Sequence, residues 1–112
     1  MSKSKCAEGK LKEAHTWSEL CQRWFASKAE ARRGEELLLL QRTGKIDSLN
    51  YQITFILCEQ PQIRITVDFA YFAPDIKRWI YEDVKGVLTR DFRTKLAWLK
   101  QQKNIDVKLI QA

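Results

Sequence analysis

The sequence predicts an α/β (α+β) domain whose elements run helix, strand, strand, strand, helix, strand. Three observations carry that order. Residues from Lys28 to about Arg42 are good helix formers, and Ser27 and Glu30 stand at capping-box spacing before them. The stretches "YQITFILCE" (51–59) and "IRITVDFAYF" (63–72) are rich in β-branched and aromatic residues and are separated by "QPQ", which reads as a hairpin. Phe92, Leu96 and Leu99 recur at helical spacing, with Trp98 beside them, inside "TRDFRTKLAWLKQQK" (89–103).

Taken in order, residues 1–12 read as a mobile polar tail. "TWSELCQRW" (16–24) predicts a short helix, because Thr16 and Glu19 also stand at capping-box spacing. Gly44 is placed to end the first long helix. "KRWIYEDVKGV" (77–87) follows the turn-like "APD" as a third strand, and "IDVKLI" (105–110) alternates as the last. No internal repeat or linker interrupts the chain.

At 112 residues the chain is one domain, long enough to enclose a single core. Its 45% hydrophobic and 30% charged residues, with four glycines and two prolines, are the composition of a soluble globular protein. No apolar run approaches the roughly 20 residues needed to cross a bilayer, and the polar start MSKSK lacks a signal segment, so the expected location is the cytoplasm. Cys6, Cys21 and Cys58 are scattered and read as free thiols, and His15 is the only histidine. A metal site must therefore be built from oxygens. The net charge of +6 and the pI near 9.4 favour polyanionic partners. Lysines and arginines crowd the segment from Met1 to Arg33, and "TRDFRTK" (89–95) forms a second basic patch.

Strand alternation brings out a candidate site. In the third strand Trp79, Tyr81, Asp83 and Lys85 share one face, while Ile80, Glu82 and Val84 share the other. In the second, Asp68 points away from Ile63, Ile65, Val67 and Phe69, so adjacent strands let Asp68 meet Asp83. Two converging carboxylates repel unless a cation lies between them, and hard oxygen ligands suit Mg²⁺ or Mn²⁺. Lys85, two residues on, can hydrogen-bond an attacking water or a scissile phosphate, and together these parts hydrolyse phosphodiesters. The competing reading makes Asp68 an edge-strand charge and Asp83 with Lys85 a solvated ion pair.

Glu30 falls on the apolar face of the first helix, in line with Gly34 and Leu37. It serves the site, the cap begun by Ser27, or both. Arg90, Arg93 and Lys95 either contact DNA phosphates or form a solvated helix face. Trp17, Trp24, Trp79 and Trp98 are capable of stacking on unpaired bases, but core or interface positions are the general expectation for tryptophan.

The stretches "FASKAEARRGEEL", "ITVDFAYF" and "YEDVKGVLTRDFRTK", in that order, resemble a family of small phage and prophage domains described as similar to Holliday-junction resolvases, within the PD-(D/E)xK nuclease superfamily. The resemblance spans about residues 25–110, so the domain is placed at 25–112 behind a basic N-terminal segment, 1–24. It implies a restriction-endonuclease-like αβββαβ core, a mixed central sheet flanked by helices, and metal-dependent DNA cleavage with Mg²⁺ or Mn²⁺. The superfamily motif falls on Asp68, Asp83 and Lys85, with Glu30 as the acid from the first helix, and Val67 stands where the superfamily's name has proline. Alternation assigns the motif acid to Asp83, since Glu82 faces away from Lys85 into an ion pair or toward the sheet's other edge. A junction substrate further implies a homodimer, in the cytoplasm of a bacterial host. Two other classes stay open: a non-catalytic DNA-binding or scaffold module, and a phage factor that binds only protein.

Overall fold

A computed structural model of the chain describes residues 15–112. The expected tail over 1–12, and Cys6 within it, lie outside the described residues. Eight elements follow: β1 (Thr16–Ser18), β2 (Arg23–Phe25), α1 (Lys28–Arg42), β3 (Asp47–Glu59), β4 (Gln62–Ala73), β5 (Arg78–Lys85), α2 (Arg90–Lys103) and β6 (Val107–Gln111). From α1 onward the order is the predicted αβββαβ. The main sheet runs β3-β4-β5-β6, antiparallel except for the parallel β5–β6 pair, so it is the mixed sheet expected.

Local signals account for the helices. Ser27 Oγ accepts from the Glu30 N–H at 3.1 Å and Thr89 Oγ1 from the Phe92 N–H at 3.2 Å, so each helix starts on a hydroxyl cap. Past the first helix Gly44 takes φ +85°, a left-handed conformation that glycine adopts without strain, and its N–H closes on the Gln41 carbonyl at 3.0 Å.

Two hydrophobic clusters hold the layers together. Ala31 and Leu37 of α1 pack with Phe25, Ile46, Phe69 and Tyr71, whereas Leu99 of α2 packs with Leu57 and Ile65. Odd-numbered positions of β4 therefore serve both clusters, Ile65 the second and Phe69 and Tyr71 the first. The strand changes cluster around Asp68.

The short helix predicted over 16–24 is instead a hairpin of β1 and β2. The capping-box spacing is coincidental: Glu19 accepts from the Trp17 indole N–H at 3.0 Å. Tertiary contacts decide the conformation. Trp17 lies opposite Trp24 with rings 5.4 Å apart, Ser18 Oγ donates to Glu35 on α1 at 2.6 Å, and Phe25 is buried against α1. The tryptophans divide between the core and the surface. Trp98 is packed, but Trp17, Trp24 and Trp79 are 42%, 57% and 47% exposed.

Gly34 makes the close approach of Phe25 to α1 feasible. A Cβ there would lie 2.7 Å from Phe25 Cζ and 3.3 Å from Phe69 Cε1, both rings fixed in the core. Gly34→Ala gains roughly 1 kcal/mol of helix propensity but forces an overpacking cost of about 1–3 kcal/mol. We expect a net loss of about 1 kcal/mol in urea denaturation, and a stabilised variant would show that the core yields there at no cost.

Candidate functional site

The ladder between β4 and β5 ends with Phe69 opposite Glu82. At the next position two carboxylates take over the main-chain groups. Asp83 Oδ1 accepts from the Asp68 N–H at 3.1 Å, and Asp68 Oδ2 accepts from the Val84 N–H at 2.8 Å. The side chains thus meet where the strands stop pairing, as alternation predicted. Lys85 Nζ lies 3.3 Å from Asp83 Oδ2 and 4.0 Å from the centre of the Phe92 ring at the start of α2. The pair is not the solvated one of the competing reading, because Asp83 is only 2% exposed.

Glu30 reaches the same place from α1 and is 5% exposed. Its N–H closes the Ser27 cap, while its carboxylate turns inward. Gln52 Nε2 donates to Glu30 Oε2 at 3.1 Å and to Asp68 Oδ1 at 3.3 Å, one amide bridging two acids. Gln52 itself has φ +53°, rare for a residue with a Cβ inside a strand.

Burial, then the charge of Asp68 and contact with it, push the Glu30 carboxyl up to about 7, against a lowering by the Ala26 backbone N–H. Burial and Asp68 likewise push Asp83 up to about 6, opposed by Lys85. An acid with a raised folded-state pKa adds no penalty below its unfolded value, here 4.5 for Glu30, and its full penalty above about 7. Stability of the metal-free protein should therefore fall between those pH values. Glu30→Gln removes most of that slope and stabilises the chain at pH 8 by about 2–3 kcal/mol, read by urea denaturation at several pH values in EDTA. An unchanged slope in the variant would show that Glu30 is not the strained acid.

Among the described residues no three His, Cys, Asp or Glu side chains stand already gathered as a set able to hold a metal ion. The donor chemistry nevertheless fits a hard divalent cation. Asp68 is close enough to Glu30 and to Asp83 to raise the proton affinity of each, and Asp83 Oδ2 is buried with no hydrogen-bond partner beyond the Lys85 ammonium 3.3 Å away. The Gln52 amide holds Glu30 and Asp68 where a cation would have to replace it.

A family model described as "Protein of unknown function (DUF1064)" matches residues 18–111. The chain belongs to that family. No curated protein and no solved structure matches it. The match begins at Ser18 in the first hairpin, so most of the β1–β2 unit lies within this DUF1064 domain alongside the αβββαβ core.

Of the predicted site residues, Glu30, Asp68, Asp83 and Lys85 are brought together. Arg90 and Arg93 sit exposed on the first turn of α2, and Lys95 pairs with Asp91 one turn back at 3.4 Å, on its own helix. Sequence reasoning missed Gln52, Phe92 and the partner of Glu82. The facing-away of Glu82 holds, and its ion pair is with Arg33 of α1, whose Nε and Nη2 reach both carboxylate oxygens at 2.8 and 2.9 Å. The Tyr71 hydroxyl donates to the same carboxylate, which is fully buried.

Proposed function

We propose that this chain is a metal-dependent, phage-type endodeoxyribonuclease of the PD-(D/E)xK superfamily. It hydrolyses DNA phosphodiester bonds, with branched, Holliday-junction-like recombination or replication intermediates as its substrate class. The observation that supports this reading is the meeting of Asp68 and Asp83 at the end of the β4–β5 ladder, with Lys85 two residues on. Asp68 and Asp83 would hold Mg²⁺ or Mn²⁺, joined by Glu30 directly or through water. Such an ion, when bound, acidifies a water and offsets charge growing on the phosphate. Lys85 donates from Nζ to the water or the scissile phosphate, and that ammonium is held over the face of the Phe92 ring. Arg90, Arg93 and Lys95 take phosphates along the duplex. A two-fold symmetric junction, cut on two strands together, calls for a homodimer.

A second reading has one observation in its favour: the aspartates already accept main-chain N–H groups, as they would in a non-catalytic DNA-binding or scaffold module. The deciding experiment is cleavage of an end-labelled four-way junction, flap, single strand and linear duplex with Mg²⁺, Mn²⁺ or EDTA. Metal-dependent cutting supports the nuclease. Salt-sensitive binding without cutting replaces it by the binding module, and neither result leaves a protein-binding factor.

A further inference from the structure

The sheet has a notch well away from the carboxylates. β6 joins β5 only from Tyr81 onward, so Arg78, Trp79 and Ile80 have no strand beside them on that edge. The turn through Asn104, Ile105 and Asp106 curves past them and encloses a cleft of about 510 Å³.

Its lining is chemically specific. Trp79 is braced edge to face on Phe72, 5.7 Å between ring centres at 65°, which fixes the indole and still leaves it 47% exposed. Lys77, Arg78 and Lys108 are exposed around it, and none forms a salt bridge with a described residue. Asp106, the one acid among the described residues that line the cleft, is already paired with Lys100 at 2.8 Å. The cleft is thus a fixed aromatic ring inside a positive rim.

We infer that this notch binds an unpaired stretch of a DNA strand, Trp79 stacking on a base and Lys77, Arg78 and Lys108 taking the flanking phosphates. The positive rim selects a polyanion. The aromatic face selects unpaired bases, since a base within a duplex already has both faces stacked. β5 also sets the distance: Trp79 and Asp83 stand four residues and roughly 13 Å apart along it, at about 3.3 Å per residue. The inference rests on the proposed nuclease reading and narrows its substrate to DNA with an unpaired segment beside the cut, such as a flap or an open junction.

The test is binding of fluorescently labelled oligothymidine and of a blunt duplex, both in EDTA, to wild type, Trp79→Ala and Trp79→Phe. Trp79→Ala should weaken single-strand binding by about 5- to 150-fold, leave duplex binding within about twofold, and melt like wild type. Trp79→Phe should restore most of the affinity. Equal losses on both DNAs, no loss on either, or single-strand affinity indifferent to salt overturns the inference. The two readings fail separately. A chain that cuts branched DNA but binds single strands independently of Trp79 keeps the nuclease and loses the notch. Trp79-dependent binding by a chain that cuts nothing with any metal does the reverse.

Discussion

Asp83→Asn is expected to lose about 10³-fold of the cleavage rate on whichever labelled DNA the wild type cuts, and Lys85→Ala about 10²- to 10³-fold, the scale on which a directly acting charge or donor counts. The asparagine keeps the shape: its carbonyl can still accept from the Asp68 N–H as Asp83 Oδ1 does at 3.1 Å. What changes is the other atom, where an amide nitrogen replaces the buried Oδ2 that lies 3.3 Å from Lys85 Nζ. A charge that burial and Asp68 disfavour is gone as well, so the variant should melt at or above the wild-type temperature at pH 8 in EDTA. That pairing of results separates chemistry from folding. An Asp83→Asn chain that cuts at the wild-type rate removes Asp83 from the mechanism. One that loses cutting only because it has unfolded fails the stability half of the expectation.

How much of this was legible follows from the range of the interactions. Asp68, Asp83 and Lys85 were found by period-two alternation, which needs only the knowledge that two strands are neighbours. Glu30 was found by helical phase, and the Ser27 cap that fixes that phase is a contact three residues long. Gln52 needed the register of the hairpin. Tyr51 opposite Phe69 and Ile53 opposite Val67 place it across from Asp68, and a strand read from residue 51 left it at a frayed end. Counting back from the Glu59–Gln62 pair at the turn would have brought it close. The β1–β2 hairpin was out of reach for another reason. Three-residue strands carry almost no periodicity, and what holds them is Phe25 against Gly34 and one tryptophan against another. Arg33 was least accessible, because the bond that gives it meaning spans 49 residues of chain.

That bond carries the largest expected effect on stability. Arg33→Ala should cost about 3–5 kcal/mol in urea denaturation, because it leaves the Glu82 carboxylate charged and fully buried, with the Tyr71 hydroxyl and the more distant Lys108 charge to answer it. Glu82→Ala should cost less, about 2–3 kcal/mol, since Arg33 stays 21% exposed and keeps Glu36 at 2.9 Å. Replacing both partners with apolar residues of similar volume should recover most of either loss, because the penalty lies in the orphaned charge more than in the missing contact. The pH dependence provides a second check. Burial alone would raise Glu82, but hydrogen bonds from Arg33 and Tyr71 and the Arg33 charge outweigh it and hold the carboxyl below its ordinary value. A lowered acid stabilises the fold above its unfolded pKa, 4.5 here, and that contribution drains away as pH falls through the folded value. Glu82 and Asp83, adjacent in the chain, therefore slope in opposite directions: Asp83 weakens the metal-free fold as pH rises toward about 6, and Glu82 weakens it as pH falls below 4.5. The clamp also joins the residue beside Asp83 to the helix that carries Glu30, three positions before Arg33. Its loss should loosen the acid cluster as well as the fold. An Arg33→Ala chain as stable as wild type would mean that water already serves Glu82 and that α1 is held to β5 by its apolar contacts alone.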